Sequence, residues 1–544
     1  MFCFRQFTRL VRREPALTAL LAASFFLNLF AFTFPTWNPD YLVRYAWNAR
    51  GLTQWNHGAF YYGSWHINVI KMFIIWPLLA LNWVWPLMTA STIPPQTAAL
   101  YAARWLAAAM GAGCVGWTWG IARRLGGGDG ARAAGQCAFA AAFALATTPL
   151  LVNLAHFTTA DVPSLFWGLG GLYFTLRHAE EPERRRWWML SALMIGLSAS
   201  TKYVGGLFAA GVLACVVMDV LARRLTWRAA LRRLSGWMAV SFASFALASF
   251  EMWFFPQTVR ENIMLNVNLN RSLAATGEIG FIGLWRHVPR ALGWAWVVLA
   301  AVGIAAAPAR RTARRPAAIL LAALAAHYLF FGSAHYYPLR YILPFLPLLL
   351  AFAGAALAWG LEGLRGGRGT GTAAAYRLAS VGLILAGVFL ALRAAAAARA
   401  FTADTRLEAA AWLREHADPG DLVAYCVPWF LYFPALPEGV RPFDLTQRPP
   451  EGWEVGDALA RTGVRWVMTS SFVRPAMQTE WERAFSAALE SGTTPYRRAA
   501  AFQRAPSAFF DPRAVEFLDP DIVIYELRPE AVGSTITPLE RKRE

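Results

Sequence analysis

The chain has 544 residues, of which 57% are hydrophobic, 14% aromatic and only 15% charged, and this composition excludes a single soluble globular domain. Its net charge of +18 is unevenly distributed: residues 1–401 hold 35 Lys and Arg against 12 Asp and Glu, whereas residues 402–544 hold 16 against 21. Because the basic residues cluster between long apolar runs, the pattern indicates a multi-pass membrane protein and no nucleic-acid partner.

Long apolar segments fill the first 400 residues. A membrane crossing needs about 20 mostly apolar residues, and we predict eleven spans. They are 16–35, 101–122, 133–151, 161–177, 187–200, 203–221, 235–255, 289–307, 317–332, 338–360 and 378–395. The stretch 72–94 is also apolar, but its prolines and tryptophans suit a segment at the membrane interface. It could instead form a twelfth span.

The arginines and lysines predict the orientation. These residues concentrate in cytoplasmic loops, and 23 of the 35 in residues 1–401 fall in every second loop, starting before the first span. We therefore expect a cytoplasmic amino terminus and an extracytoplasmic carboxyl-terminal region; a twelfth span at 72–94 would break this alternation. The predicted membrane domain, 1–400, has two long outer loops at 36–71 and 256–288.

Residues 401–544 have the pattern of a small extracytoplasmic α/β domain. An amphipathic helix is predicted around Leu407 to His416, followed by a Pro-Gly turn at 419–420. Apolar runs typical of buried strands follow at 421–426, 464–469 and 522–526. This region is therefore predicted to form a folded domain.

Two outer carboxylates are candidates for chemistry. Asp40 lies in the segment Trp-Asn-Pro-Asp-Tyr at 37–41, just beyond the outer end of the first span. It either caps a helix after a proline turn or acts as a general base toward a hydroxyl or amine. Asp161 lies at the outer mouth of a span, shortly after His156. It either caps the helix that follows or shapes a site, since an ionisable group at that depth faces a cavity or a partner.

Basic residues also occur on the outer side, where positive charge is normally avoided. They are Arg44, Lys71, Lys202, Arg271 and Arg340. Each alone could anchor the chain to lipid headgroups by snorkelling. Together they favour an anionic ligand, because Arg and Lys bind phosphate oxygens through charge-assisted hydrogen bonds.

Histidines and cysteines give little support for a metal or a disulfide framework. Seven of the eight histidines fall outside or in the outer half of a span, yet neither His57 nor His66 has a second ligand at a spacing typical of zinc. The five cysteines likewise show no ligand spacing. We expect no cofactor, and metal binding is left without support.

Several segments resemble the GT-C glycosyltransferases, most closely the protein O-mannosyltransferase and aminoarabinose transferase families. The first outer loop carries Asn-Pro-Asp-Tyr and Arg-Tyr-Ala-Trp-Asn within 38–48. The other similar segments are 60–64, 156–163, 199–203 and 338–344, in the family's order. The tail resembles the extracytoplasmic module of many bacterial members at 406–413 and 463–467.

The resemblance implies an inverting transfer of a sugar from a polyprenyl-phosphate donor to an acceptor at the outer face of the cytoplasmic membrane. It implies that Asp40 is the general base, with Asp161 as a second candidate catalytic residue. The leaving phosphate would be held by basic residues. The predicted donor-binding residues are Arg44, Lys202, Arg340, Tyr341 and His156.

Two departures from the family pattern bear on the acceptor. Many relatives have Asp-Glu where this chain has Asp40 followed by Tyr41, so a second carboxylate is missing or replaced by Asp161. The aminoarabinose enzymes carry a Lys-Pro pair where this chain has residues 62–66, which disfavours lipid A as the acceptor and leaves a glycan, lipid or protein open.

Two other classes of function remain open. A transporter or lipid flippase would place ionisable groups near the midplane, where the predicted spans are almost free of charge. A ligase of lipid-linked oligosaccharides would share the donor and the face, but would accept a glycan.

Overall fold

The structure is a computed structural model, and it describes most of the chain. The described residues are 14–33, 46–48, 65–84, 94–127, 131–272, 280–334, 338–366, 370–425, 433–443, 455–471, 480–515 and 518–528. They form two compact units. The first contains the described residues up to Ala398 together with 513–515, and the second contains 399–512 and the residues from Leu518 onward.

The first unit is helical throughout its described residues. Its helices are α1 Pro15–Leu29, α2 Trp65–Ile70, α3 Trp76–Val84, α4 Pro95–Gly126, α5 Ala131–Ala146, α6 Pro149–Ala155, α7 Asp161–Glu180, α8 Arg185–Thr201, α9 Ala209–Leu221, α10 Trp227–Ala248, α11 Pro256–Ser272, α12 Gly280–Leu292, α13 Trp294–Ala306, α14 Arg314–Gly332, α15 Phe345–Gly366 and α16 Thr370–Arg399. A π-helical turn, Lys71–Ile75, joins α2 to α3, and short 3-10 turns include Tyr203–Phe208, Phe250–Trp253 and Leu339–Ile342.

A helix overlaps each of the eleven predicted spans, but fewer helices meet a span's requirements by themselves. Among the described residues, five helices are long and apolar enough to cross a membrane, and up to seven if two bent pairs each count as one span. One of these pairs is α5 with α6, bent by 59°; the other is α12 with α13, bent by 113°. A multi-pass protein is therefore supported, whereas eleven spans and the orientation stay predictions.

Helix α4 is the central element of the first unit and packs against α1, α5, α7 and α15. Its contact surfaces are rich in alanine and glycine, which let helix backbones approach closely where lipid offers no hydrophobic driving force. Gly168 in α7 shows how close the packing is, because an added Cβ would lie 2.1 Å from the ring of Phe208. Alternation of small and bulky residues thus positions α7 against the turn after α8.

The second unit is a five-stranded sheet with helices. Its elements are α17 Thr405–His416, β1 Leu422–Tyr425, β2 Arg441–Phe443, α18 Val455–Arg461, β3 Val464–Ser470, α19 Glu480–Ser491, β4 Tyr496–Phe502 and β5 Ile522–Leu527. The strand order is β2-β1-β3-β5-β4. Strand β1 runs parallel to β2 and β3, whereas β5 runs antiparallel to β3 and β4.

The predicted elements of the tail coincide with observed ones, and two strands are additional. The helix around Leu407 to His416 is α17, and the three predicted runs form β1, β3 and β5. Strands β2 and β4 lie at the edges of the sheet. Edge strands bury little side-chain surface, and β4 is largely exposed with a Tyr-Arg-Arg-Ala-Ala-Ala-Phe sequence, so neither has a strong apolar pattern.

Candidate active site

A small cavity in the first unit brings together residues from four segments. These segments are the start of α7, the turn after α8, the end of α14 and the stretch 338–344. The lining residues are Asp161, Ser164, Leu165, Lys202, Val204, Gly205, Phe208, His327, Phe331, Arg340, Leu343 and Pro344. Three of them, Asp161, Lys202 and Arg340, are charged residues predicted from the sequence.

Asp161 and Lys202 form an ion pair on this wall. Lys202 Nζ donates to Asp161 Oδ1 at 2.7 Å, and only 14% and 7% of the two side chains are exposed. Helix α7 begins at Asp161 itself, with Ala160 in the N-cap position. The carboxylate therefore pairs with a cation 41 residues away, which favours the site-shaping interpretation over the capping one.

Two serines beneath the pair fix α7 to α8. Ser198 Oγ donates to the carbonyl oxygen of Ser164 at 2.7 Å, and Ser164 Oγ donates to that of Ser198 at 3.2 Å. Gly205 passes over this junction, where an added Cβ would lie 2.2 Å from Ser198 Oγ. The chain can therefore turn directly after Lys202, which has extended backbone and ends α8.

Arg340 lines the opposite wall, and Tyr341 follows it in the chain without being among the lining residues. They lie in the 3-10 turn that follows Pro338. The ring of Tyr341 has Lys202 Nζ at 5.4 Å and Arg340 Cζ at 5.7 Å from its centroid, within reach of a cation–π interaction. Phe331 packs on the same tyrosine, with ring centroids 4.5 Å apart. The aromatic ring thus lies next to both cations.

His327 is a cavity residue that the sequence analysis did not single out. It is 1% exposed, and its Nδ1 lies 2.8 Å from the carbonyl oxygen of Ala323. Its Nε2 is buried and has no hydrogen-bond partner among the described residues. A single histidine in an apolar helix is an ordinary feature, so no pattern in the sequence distinguished it.

The described part of the cavity is narrow. It encloses about 20 Å³, room for a single water molecule rather than for a sugar. Its walls carry one carboxylate and two cations. An anion is favoured at this position, because the cations among these lining residues exceed the carboxylates by one, and a phosphate would fit only after the walls move apart.

His156 is not among the residues that line this cavity. Its Nδ1 lies 2.5 Å from the carbonyl oxygen of Val152, and its Nε2 lies 2.9 Å from that of Phe30. Arg104, also buried, donates to the neighbouring carbonyl of Phe32 at 2.8 Å. Both side chains therefore contact the turn that follows α1, and a donor-binding role for His156 stays a prediction.

A second buried polar cluster joins the segment 68–71 to Glu251. Asn68 Nδ2 donates to Glu251 Oε1 at 2.9 Å, and Glu251 is fully buried. Lys71 is also buried and interacts electrostatically with Glu251. The sequence predicts Lys71 as an outer cation but does not indicate Glu251 as its partner, because that partnership depends on the packing of distant segments.

Two predicted residues cannot be placed. Asp40 and Arg44 lie outside the described residues. The predicted general base therefore stays a prediction.

The described residues contain no group of three His, Cys, Asp or Glu side chains arranged to hold a metal ion.

The fold matches solved structures at low sequence identity. The Archaeoglobus fulgidus oligosaccharyltransferase in complex with Zn and sulfate gives a TM-score of 0.52 at 13% identity, covering 90% of this chain and 72% of that one. AglB from the same organism, in complex with an inhibitory peptide and a dolichol-phosphate, gives 0.51 at 14%, covering 92% and 74%. ArnT from Cupriavidus metallidurans, bound to undecaprenyl phosphate, gives 0.49 at 17%, covering 97% and 99%.

Sequence comparison points to the same class. Residues 82–253 match the family described as dolichyl-phosphate-mannose-protein mannosyltransferase. No curated protein sequence matches the chain. The fold is thus that of the GT-C membrane glycosyltransferases. The chain therefore resembles the GT-C membrane glycosyltransferases in its fold and, over residues 82–253, the protein mannosyltransferase family in its sequence, which confirms the predicted resemblance.

Proposed function

We propose that this protein is an inverting glycosyltransferase that moves a hexose or pentose from a polyprenyl-phosphate donor to an acceptor at the outer face of the cytoplasmic membrane. The observation that carries the proposal is the cavity in which Lys202 and Arg340 meet beside Asp161. Two cations on opposite walls of one cavity suit the phosphate of such a donor, because each charge-assisted hydrogen bond contributes about 1.5–3 kcal/mol.

The fold match supports a lipid-linked donor. AglB, which has a similar fold, is in complex with a dolichol-phosphate. A lipid phosphate also suits a site in an apolar helical unit, because the prenyl chain remains in the membrane while the phosphate reaches basic side chains. A soluble nucleotide sugar would gain nothing from this placement.

The proposed roles follow from charge. Asp40 takes the proton of the acceptor hydroxyl or amine. At the same time the oxygen or nitrogen of the acceptor bonds to the anomeric carbon of the donor sugar. The bond from that carbon to the phosphate oxygen breaks, and the leaving phosphate gains a negative charge. Lys202, Arg340 and Arg44 stabilise this charge, which is greater in the transition state than in the bound donor. Asp161 positions Lys202 through the 2.7 Å ion pair.

The direct test is release of the lipid carrier. The purified full-length protein is incubated with a panel of polyprenyl-phosphate sugars, with and without candidate glycan, lipid and protein acceptors, and free polyprenyl phosphate is measured. We expect acceptor-dependent release with at least one sugar. Absence of release with every donor, for a protein that binds none of them, would contradict the proposed donor class.

The predicted base is tested by Asp40→Asn. Removal of a general base typically costs about 10²–10⁴ in rate, so transfer should fall by that factor while donor binding is retained. Asp418→Asn, which changes an exposed carboxylate of the tail, is the matched control and should transfer at the normal rate. Undiminished turnover in Asp40→Asn would assign the base to another residue.

A further inference from the structure

One ring nitrogen of His327 has a hydrogen-bond partner, and the other has none among the described residues. Its Nδ1 lies 2.8 Å from the carbonyl oxygen of Ala323. Because a carbonyl oxygen can only accept, Nδ1 carries the proton in the neutral ring, and Nε2 is then an acceptor. That atom is buried and has no hydrogen-bond partner among the described residues. A buried polar atom in this state costs free energy unless a ligand or water satisfies it.

The surroundings show what kind of ligand fits. The titratable and charged side chains that line the cavity with His327 are Asp161 from α7, Lys202 from the turn after α8, and Arg340 from the turn before α15. Three aromatic rings also pack on the imidazole, with centroid distances of 4.5 Å to Phe208 and 6.4 Å to both Phe331 and Phe345. The cavity therefore favours an anion but offers an acceptor at Nε2.

An anion and an acceptor nitrogen repel each other until a proton lies between them. A phosphate diester carries one negative charge, whereas a monoester carries up to two near neutral pH, because its second pKa is about 6. The donor is a diester and the released carrier is a monoester. The second charge thus appears as the sugar leaves, and Lys202 is already paired with Asp161.

We propose that His327 binds the phosphate monoester through Nε2 and takes up one proton from solvent as it does so. This inference rests on the proposed function, since it concerns the leaving group of that reaction. The imidazolium Nε2–H donates to a phosphate oxygen, Nδ1–H continues to donate to Ala323, and no covalent bond to the phosphate forms. His327 therefore distinguishes the monoester from the diester.

The experiment measures protons taken up on binding. Full-length protein in detergent is titrated with farnesyl phosphate by calorimetry at pH 7.5, in two buffers that differ in ionisation enthalpy. We expect an uptake of close to one proton in the wild type. The dissociation constant should rise by up to about tenfold per pH unit above neutrality, the limit for linkage to one proton.

Two substitutions separate the proton from the hydrogen bond. His327→Gln places a neutral amide near the Nε2 position, so it should bind farnesyl phosphate with no proton uptake and little dependence on pH. His327→Asn keeps a donor near Nδ1 but lacks any group at Nε2, so it should bind about tenfold more weakly at pH 6.5. Retention of the wild-type proton uptake in His327→Gln would overturn the proposal.

His178→Gln is the matched control. His178 is also buried and aromatic-packed, with its ring 4.7 Å from Trp188, but it lies at the far end of α7, about 25 Å from Asp161 by helix rise. Its proton uptake should equal that of the wild type. A loss of uptake in His178→Gln would show that the effect is not specific to His327, and would contradict the proposal.

Further ligands show whether binding requires the prenyl chain or only the phosphate. They also show whether the proposed donor class or only the role of His327 fails. Inorganic phosphate that binds as tightly as farnesyl phosphate, with the same uptake, would support His327 as a phosphate residue while removing the prenyl requirement. Farnesol should not induce uptake. Wild-type protein that binds no phosphate at all would contradict the proposed donor class itself. Binding without proton uptake would contradict only the role of His327.

Discussion

Each of the two units contains a cluster of buried and half-buried charged side chains, and the clusters differ in one respect. The cavity cluster consists of Asp161, Lys202 and Arg340, which line an open space. In the second unit, Arg406 donates from Nε and Nη2 to the two oxygens of Asp404 at 2.7 and 2.9 Å, and both side chains are fully buried. That bidentate pair lies at the start of α17, where Asp404 is the N-cap.

The rest of the tail cluster is equally enclosed by its own partners. Asp519 Oδ1 accepts from the backbone N–H of Thr405 at 3.1 Å, and its Oδ2 accepts from Arg504 Nη1 at 2.8 Å. The backbone N–H of Asp519 donates to Asp404 Oδ2 at 2.7 Å. Two carboxylates thus face two guanidinium groups and the backbone. Among the described residues, this tail cluster joins the start of α17 to the segment before β5.

The difference teaches that burial of charge alone does not identify a site. The tail cluster pairs its two carboxylates with two guanidinium groups, so its role is to connect elements of structure. Among the described lining residues, the cavity cluster has one more cation than carboxylate, and it adjoins the buried Nε2 of His327. An open space, an excess charge and an unsatisfied atom together indicate a ligand.

The largest expected effect is on the cavity cluster. Lys202→Met removes a cation from the phosphate and leaves Asp161 without its ion pair, so we expect turnover to fall about 100-fold, from a loss of about 1.5–3 kcal/mol. Turnover is measured as release of polyprenyl phosphate. The double variant Asp161→Asn/Lys202→Met should regain thermal stability but not turnover, because the unpaired buried carboxylate is gone while the cation is still missing.

Asp404→Asn is the corresponding change in the tail cluster. It should lower the unfolding temperature of the second unit, because Arg406 loses its buried partner, while turnover per folded molecule stays normal. A fall in turnover that matches Lys202→Met would show that the two clusters do not differ in the way described.

The second expected effect is on the pH dependence of the tail's stability. Burial, with the nearby charge of Asp404, raises the pKa of Asp519 to about 7. Between about pH 4 and 7 the folded state therefore holds a proton that the unfolded chain releases, so the free energy of unfolding falls as the pH rises. From pH 5 to 8 we expect a loss on the order of 2 kcal/mol, measured by hydrogen exchange of the β3 and β5 amides.

Asp519→Asn should flatten this dependence, because its amide does not titrate. Asp418→Asn is the control: this carboxylate is 76% exposed and bonds to Arg465 at 2.6 Å, and its removal should leave the slope unchanged. A slope in Asp519→Asn equal to that of the wild type would place the responsible group elsewhere.

The smallest expected effect concerns specificity for the donor. Arg340→Ala should raise the KM for the polyprenyl-phosphate sugar about tenfold, in keeping with the loss of one charge-assisted contact, while the KM for the acceptor stays constant. Arg340→Lys keeps the charge and should recover part of the affinity. An unchanged donor KM in Arg340→Ala would remove this arginine from the donor site.

Much of this architecture was predictable from local patterns. Helices overlap all eleven apolar segments, and α17, β1, β3 and β5 coincide with the predicted elements because each has a clear periodicity. Asp161, Lys202 and Arg340 were singled out because charges at the outer ends of spans are unusual. Their position was thus visible in the sequence as a departure from the composition around them.

What local patterns could not supply was pairing over long separations. Nothing in the sequence connects Asp161 with Lys202, 41 residues later, or either one with Arg340. His327 was missed because one histidine in an apolar helix has no distinctive neighbours. The buried partnership of Asn68 and Glu251 depends in the same way on how distant helices pack.

The serine junction beneath the cavity limits how the site can move. Ser164 and Ser198 exchange hydrogen bonds with each other's backbone at 3.2 and 2.7 Å, so the segments that carry Asp161 and Lys202 are tied to each other. We therefore expect the cavity to widen on the opposite side, where Arg340 lies in the short turn Leu339–Ile342 that follows Pro338. On ligand entry, Arg340 should then change its position, whereas Lys202 should keep its own.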